Sequence, residues 1–241
     1  MINLERIRNG RLETNPYRWA GITDLFEPGD ADRLASTYPC DHYKLLSARG
    51  GEKDYEYHAR SFIPMNGDDV TYRDELDDSW QVLAADLLSA GYRNAMTTLT
   101  GCDLTQAPME VNVFHYGPGC SLGAHPDLPD KVVTHVLYFN SAWNIEAGGC
   151  LNILRSANAS DIAALVVPVV GSSAVLVRSD DSWHSVSPVV SCSPISRRSM
   201  TVTFYRPGSA SSMWPPGDTT PLYRYETPQL SELTPESVEV E

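Results

Sequence analysis

Residues 110–127 have the sequence EVNVFHYGPGCSLGAHPD. Apolar residues alternate at the start of this segment, as in a β-strand, and Gly117-Pro118-Gly119 then interrupts the alternation with a turn. Beyond the turn, His125 and Asp127 lie two residues apart on extended chain, so their side chains point to the same side. A histidine and a carboxylate that converge in this way can hold a metal ion when a third ligand joins them. We take His184, which opens another apolar run, as that third ligand.

Short apolar runs of this kind recur along the second half of the chain and are separated by turn residues. They cover residues 109–116, 121–127, 131–140, 150–155, 164–170, 173–178, 184–189 and 199–205. About eight strands with little room for helices between them are typical of a sandwich or barrel rather than a parallel α/β sheet. We therefore predict a mainly β fold with flanking helices, built on a double-stranded β-helix (a cupin-like jelly roll). Such a core gathers residues from distant strands at one open end.

The 241 residues are expected to form a single domain with three parts. Residues 1–108 are predicted to be a helical and mixed N-terminal part that packs on the core, residues 109–206 the β-helix core that carries the site, and residues 207–241 a proline-rich tail. Residues 1–16 are polar and are expected to be a loose lead-in. One long helix is predicted over residues 79–99, because apolar residues recur there at helical spacing.

The composition argues against several kinds of partner. A formal net charge of −13 disfavours nucleic acid and anionic membrane surfaces, since both are bound through basic patches. No apolar run has the length of a signal peptide core or of a membrane span. The five cysteines are scattered without a Cys-x-x-Cys pair, which is typical of reduced thiols in the cytoplasm. The sequence thus predicts a cytoplasmic protein that acts on a small molecule, with neither nucleic acid nor membrane as a partner.

The segment 110–205 resembles the Fe(II)/2-oxoglutarate-dependent oxygenases, in particular the branch that contains the prolyl hydroxylases. The resemblance rests on five motifs, which are Tyr116-Gly117-Pro118-Gly119 before the His-x-Asp pair, the strand Val132–Asn140, Trp143 with Gly148-Gly149-Cys150-Leu151, His184-Ser185-Val186, and the run from Arg197 to Val202. Two histidines and one carboxylate also leave open positions on a metal, as non-haem Fe(II) chemistry requires. Residues 1–108 match no pattern of the family.

The resemblance implies a metal site and a cosubstrate pocket. The Fe(II) ligands would be His125, Asp127 and His184. The contacts to 2-oxoglutarate would be made by Arg197, Tyr138, Tyr116 and Thr201. The planar fork of Arg197 suits the C5 carboxylate of this dicarboxylate. Arg198 points to the opposite face of the strand and is the alternative clamp.

The reaction implied is the oxidation of an unactivated C–H bond by O₂, coupled to conversion of 2-oxoglutarate to succinate. Related halogenases have a small residue at the carboxylate position, so Asp127 favours hydroxylation, desaturation or ring closure over halogenation. The expected substrate is a small polar natural product, sugar-containing or amino-acid-derived, from antibiotic or other secondary metabolism. A peptide or protein hydroxylase of the prolyl type is the alternative.

Two further hypotheses come from different classes. Gly119–Gly123 satisfies Gly-x-Ser-x-Gly, and Ser121, Asp180 and His184 follow in the chain order of α/β-hydrolases. The prolines after His125 disfavour the helix that such an elbow requires. The other hypothesis is a cupin-like metal isomerase or binding module, which has no need of a carboxylate clamp at Arg197 and Tyr138.

Overall fold

The computed structural model describes residues 1–51, 53–190 and 195–226. Within these residues the helices α1 to α4 are Leu4–Arg8, Pro28–Ser36, Asp78–Leu88 and Ala90–Thr100. The strands β1 to β11 are Trp19–Ile22, Lys44–Ala48, Tyr55–Ile63, Met109–Tyr116, Ser121–His125, Lys131–Tyr138, Leu151–Leu154, Ile162–Val166, Ser173–Val177, His184–Val186 and Arg197–Tyr205. Each of the eight predicted runs overlaps one strand, although β8 and β11 each begin two residues earlier than predicted. The mainly β fold with flanking helices is confirmed.

The strands pair antiparallel in one curled sheet, in the order β1-β9-β6-β11-β4-β3-β5-β10-β7-β8, and β2 pairs with β3. Strand β3 is the element that joins the two halves of the roll. Its second half pairs with β4, whereas Tyr55 and Glu56 at its start pair with Leu122 and Ser121 of β5. Strands β1 to β3 come from the N-terminal 108 residues and extend the same sheet. The division into three parts stays a prediction.

Side chains of the central strands alternate between two faces, as the pleat of a strand requires. On β11, Met200, Val202 and Phe204 belong to the apolar cluster that also contains the buried residues of α3 and α4. Arg197 and Thr201 of the same strand line a cavity inside the roll. The helices therefore cover one face of the sheet, and the other face is left to carry polar groups around an interior site.

The helix predicted over residues 79–99 is in fact two helices. Ser89 has extended backbone angles (φ −68°, ψ 147°), which end α3 and begin α4. Its hydroxyl accepts a hydrogen bond from the backbone N–H of Tyr92 at 3.1 Å, as a helix N-cap does. The apolar spacing continues across the break because both helices bury residues in the same cluster. Periodicity alone therefore could not reveal the break.

Replacement of this cap should cost stability without affecting the interior site. Ser89→Ala removes the acceptor for the N–H of Tyr92, and losses of this kind cost about 1 kcal/mol. Urea unfolding should show a lower midpoint with an unchanged slope. Ser160→Ala, in an exposed loop, is the matched control and should unfold like the wild type. Equal midpoints for all three proteins would contradict the capping role of Ser89.

The N-terminal end of the chain differs from the predicted loose lead-in, and the described part of the C-terminal end is irregular as predicted. Residues 1–16 are not a loose lead-in, because α1 forms there and its Ile7 is fully buried in the helix-covered cluster. Residues 207–226 contain no strand and pack against the barrel, with an isolated bridge between Tyr223 and Tyr43. The tail from residue 227 onward lies outside the described residues, as does Cys192. No helix in the described parts of the chain has the length and apolar character to cross a membrane.

Candidate metal centre and cosubstrate pocket

The structure brings the three predicted metal ligands together inside the roll. Strands β5 and β10 pair so that His125 lies directly opposite His184, and the centres of the two imidazole rings are 4.4 Å apart. With Asp127, two residues further on, they offer ligand atoms that all lie within 4.8 Å of one another. Each of the three residues is only 6% exposed. This arrangement could hold one metal ion out of contact with bulk water.

Both histidines are fixed in the tautomer that a metal site needs. The Nδ1 atom of His125 lies 2.8 Å from the carbonyl oxygen of Gly123, and Nδ1 of His184 lies 2.9 Å from that of Ser182. Since a carbonyl only accepts, each Nδ1 carries the proton and each Nε2 keeps a free lone pair. Burial lowers the pKa of His125 to about 2 and also lowers the pKa of His184. Both rings are therefore neutral at pH 7, as metal ligands are.

Asp127 is oriented by two neighbours on β6. Its Oδ1 accepts a hydrogen bond from Nζ of Lys131 at 2.6 Å, and its Oδ2 accepts one from the hydroxyl of Thr134 at 2.8 Å. Burial alone would raise the pKa of Asp127, but the adjacent Lys131 ammonium helps to hold that pKa well below its usual range. The carboxylate is thus ionised and held in place.

Arg197 lies deeper in the same cavity and is only 2% exposed. Its guanidinium carbon lies 4.7 Å from the ring centre of Tyr116 and 5.2 Å from that of Tyr138. Its Nη1 donates to the hydroxyl of Ser199 at 2.7 Å, and its Nε has no hydrogen-bond partner. Among the residues that the structure describes, no carboxylate forms an ion pair with it. A buried guanidinium in this state is a site for an anion, because an uncompensated buried charge is costly.

The other predicted cosubstrate contacts lie beside this guanidinium or line the same cavity. Tyr116 and Thr201 line the cavity. Burial raises the pKa of Tyr138 to about 12, and the nearby Arg197 charge opposes that rise. Its hydroxyl is therefore a protonated donor at neutral pH. It has no well-formed hydrogen bond within the described residues. Unsatisfied donors on Tyr138 and Arg197, next to a cavity of about 110 Å³, fit the carboxylate of 2-oxoglutarate.

Arg198 faces away from this cavity. Its Nη1 donates to the backbone carbonyl of Ala35 on α2 at 3.1 Å, and its backbone N–H donates to Oδ1 of Asn140 at 2.8 Å. The side chain therefore joins the sheet to the helix layer. Of the two arginines, the one that reaches the metal cavity is Arg197.

The two glycines of the Gly-Gly motif let the chain pass close to the Pro188 backbone and to the Arg197 side chain. Both have positive φ angles, +69° at Gly148 and +67° at Gly149. A Cβ atom at Gly148 would lie 2.0 Å from the carbonyl oxygen of Pro188, and one at Gly149 would lie 3.4 Å from Cδ of Arg197. Glycine is required at such positions. The motif thus serves the packing of the cosubstrate pocket.

Besides apolar residues of the strands, the structure adds to the cavity lining several residues that the sequence did not single out. They are Lys53, Tyr57, Lys131, Thr134, Ser199 and Met213. Two of them could have been identified from the alternation of strand side chains. Thr134 shares the face of Tyr138 on β6, and Ser199 shares the face of Arg197 on β11. Lys53, Tyr57 and Met213 come from segments outside the recognisable core, where no motif marks them.

The hydrolase hypothesis finds no support in this geometry. Ser121 lies at the start of β5 and is followed by strand rather than by the helix that a nucleophile elbow needs. The Asp180 side chain is 88% exposed and pairs with Arg178. The Nδ1 of His184 is already bonded to the carbonyl of Ser182.

Several solved structures resemble this chain, whereas a comparison with curated proteins finds no match. Among solved structures, a prolyl-4-hydroxylase from Pseudomonas putida is 21% identical, with a TM-score of 0.53 over 84% of this chain and 97% of that one. A prolyl hydroxylase from Trichoplax adhaerens, solved with a peptide fragment of the hypoxia inducible factor oxygen degradation domain, is 15% identical, with a TM-score of 0.55 over 84% and 88% of the two chains. At these identities the likeness shows a shared fold.

The family comparison agrees with the donor set. The model of the 2OG-Fe(II) oxygenase superfamily matches residues 111–205, the segment that carries the His125, Asp127 and His184 cluster and Arg197. Fe(II), 2-oxoglutarate and O₂ are the metal and cosubstrates of this family. Residues 111–205 thus carry a 2OG-Fe(II) oxygenase family domain, and the chain shares the fold of prolyl hydroxylases.

Proposed function

We propose that this oxygenase oxidises an unactivated C–H bond of a small polar natural product, sugar-containing or amino-acid-derived, by hydroxylation or oxidative ring closure. The observation that carries the proposal is the enclosure of the site. The three metal-binding candidates are each 6% exposed, and the cavity that reaches them has a volume of about 110 Å³. Because 2-oxoglutarate shares this cavity, the space that remains at the metal accepts part of a small molecule more readily than an extended chain.

Strand β3 supplies the wall that makes the cavity narrow. The ring of Tyr57 stacks on that of Tyr116 with centres 5.3 Å apart. The carbonyl of Asp54 accepts a hydrogen bond from the N–H of Gly123 at 2.8 Å, just before β3 begins to pair with β5. The chain ahead of β3 is therefore tied to the strand that delivers His125. This tie favours a small substrate over a large one.

The residues of the site have separate tasks in the proposed reaction. Iron bound by His125, Asp127 and His184 would supply the oxidising chemistry, with O₂ and 2-oxoglutarate as cosubstrates. Arg197 would hold the C5 carboxylate of 2-oxoglutarate, and Tyr138 would donate a hydrogen bond to it. Burial of the whole set excludes water from the reacting centre.

A peptide hydroxylase is the second candidate. It is supported by the likeness of the fold to prolyl hydroxylases, one of which was solved with a peptide fragment. The two candidates differ in the size of molecule that the mouth of the cavity must admit.

Turnover of 2-oxoglutarate distinguishes the candidates. The protein with Fe(II), O₂ and 2-oxoglutarate should form succinate, and the rate should rise with members of a small-molecule pool. The product should gain one oxygen atom or lose two hydrogen atoms in the mass spectrum. A rise with proline peptides alone would replace the small-molecule proposal by the second candidate.

The same assay tests the expectation for Asp127. With chloride present, no chlorinated product should form, since the carboxylate fills the coordination position that a halide would need. Detection of a chlorinated product would show that Asp127 does not remain on the metal.

A further inference from the structure

We propose that Met213 determines how large a substrate can reach the metal, and that Lys44 and Trp214 hold its side chain at the cavity. This inference rests on the proposed function and adds to it the residue that selects the substrate by size. It comes from the contacts of residues 206–218, an irregular segment after β11 that we call the strap.

The strap begins beside the loop that carries Asp127. The backbone N–H of Arg206 donates to the carbonyl of Asp130 at 2.8 Å, and its Nε donates to the carbonyl of Pro129 at 3.1 Å. Of the described residues after β11, Met213 alone lines the cavity that contains the metal ligands. Its half-buried side chain packs against the apolar cluster inside the roll. The strap therefore contributes one side chain to the wall of the cavity.

Lys44 on β2 holds the strap at this residue. The lysine is only 3% exposed. Its Nζ donates to the backbone carbonyl of Met213 at 2.7 Å, forms an ion pair with Asp218, and lies 4.0 Å from the ring centre of Trp214. A buried ammonium group is costly unless partners of this kind surround it. The three contacts therefore tie the strap firmly to the sheet.

Trp214 holds the strap at a second point. Its Nε1 donates to Oδ1 of Asn112 at 2.7 Å, and Asn112 is only 2% exposed. Asn112 lies on β4 opposite Thr201 of β11, which is part of the cavity wall. The carbonyl of Met213 is thus bonded to Lys44, and the next side chain is bonded to the inner face of the sheet. These two hydrogen bonds fix where the Met213 side chain lies.

Met213 differs from the other apolar residues of the cavity in what fixes its position. Leu122, Leu151 and Leu176 lie on strands, where the ladder of backbone hydrogen bonds holds them. The strap contains no strand, so side-chain contacts determine its position. Methionine is also unbranched and adapts its shape to the space around it. A shorter side chain at position 213 should therefore enlarge the cavity and leave the sheet unchanged.

Chemical modification of the metal-binding histidines tests this access without any turnover. Diethyl pyrocarbonate acylates neutral imidazole rings, and the full chain freed of metal presents Nε2 of His125 and His184 to it. Met213→Ala should speed the modification of both histidines severalfold relative to the wild type, as measured on their separate peptides by mass spectrometry. Met65→Ala changes a half-buried methionine in a loop outside the cavity and should keep the wild-type rates. Equal rates in Met213→Ala and the wild type would overturn the proposal.

The same measurement separates the positioning role of Lys44 and Trp214 from a general loss of stability. Lys44→Met and Trp214→Phe keep large side chains and remove the hydrogen-bond donors. Each variant should speed modification of the two metal-binding histidines severalfold. His135 is fully buried and its Nδ1 lies 2.8 Å from the hydroxyl of Tyr92, so it should stay as slow as in the wild type. Faster modification of His135 to the same degree would show general loosening and would overturn the positioning role.

Substrates of graded size give the second measurement. For each compound that stimulates consumption of 2-oxoglutarate, Met213→Ala should raise the kcat/KM of a homologue with one more methylene, relative to the parent compound, by about tenfold or more. Met213→Leu conserves the volume and should keep the wild-type ratio. An unchanged ratio in Met213→Ala would overturn the selection by size and leave the proposed oxidation intact. Absence of any 2-oxoglutarate turnover would instead refute the proposed function, and the modification rates would still decide whether Met213 limits access to the metal site.

Discussion

His184→Ala is expected to abolish binding of Fe(II) and, with it, all oxidation. Two ligands from one segment, His125 and Asp127, do not hold a divalent metal tightly when the third, from a distant strand, is missing. Anaerobic titration of the wild-type protein with Fe(II) and 2-oxoglutarate should give the weak visible charge-transfer band of the chelate. The band should be absent in the variant.

The control for this experiment is another histidine outside the cluster. His58 on β3 lies 2.5 Å from the hydroxyl of Tyr223 through its Nδ1 and belongs to a different part of the barrel. His58→Ala should keep the band. If His184→Ala also kept the band, the ligand set would be wrong. Iron bound without a band in the wild type would favour a cupin-like metal site of other chemistry.

Arg197→Ala should weaken binding of 2-oxoglutarate by about a hundredfold or more, because two charge-assisted hydrogen bonds of roughly 1.5–3 kcal/mol each are lost. The metal should still bind, since Arg197 is not part of the His125, Asp127 and His184 cluster. Titration of 2-oxoglutarate into the Fe(II)-loaded protein, followed by the same visible band, measures the change.

The chain provides the matched control for this prediction in the next residue. Arg198→Ala changes the same residue type on the same strand, but its guanidinium contacts Ala35 on the helix side. It should alter 2-oxoglutarate binding less than threefold and lower the stability instead. The affinity of the Arg197→Lys variant for 2-oxoglutarate should lie between those of the two alanine variants, because lysine keeps the charge and loses the planar fork. A larger loss of 2-oxoglutarate affinity in Arg198→Ala than in Arg197→Ala would mean that Arg198 binds the carboxylate.

The core of the fold was predictable because its residues follow simple local rules. Alternation of apolar residues marked each strand from Met109 to Tyr205, and the spacing of His125 and Asp127 placed both side chains on one face. His184 could be singled out because it opens its own apolar run, whereas its position opposite His125 depends on the non-local pairing of β10 with β5. The residues that contact the cosubstrate were predicted from the resemblance to the family motifs.

The parts that were missed depend on tertiary contacts that no local pattern reveals. The break at Ser89 is invisible to periodicity, since both helices bury their apolar residues in one cluster. The closure of the roll by β3 depends on pairing between Tyr55 and Leu122, which are far apart in sequence. Lys53 and Met213 reach the cavity from segments without any family motif. Non-local pairing, rather than propensity, determines these positions.

The closure of the barrel by distant segments has a consequence for how the protein acquires its metal. Strand β1 pairs with β9, so Trp19 lies beside Leu176, and the wall of the cavity extends from Lys53 to Met213. Proteins dominated by such non-local contacts have a high contact order and fold in milliseconds to seconds rather than microseconds. A nascent chain that ends before residue 184 has only two of the three ligands. Uptake of iron during refolding should therefore be a late event, and it can be used to time the assembly of the last long-range contacts.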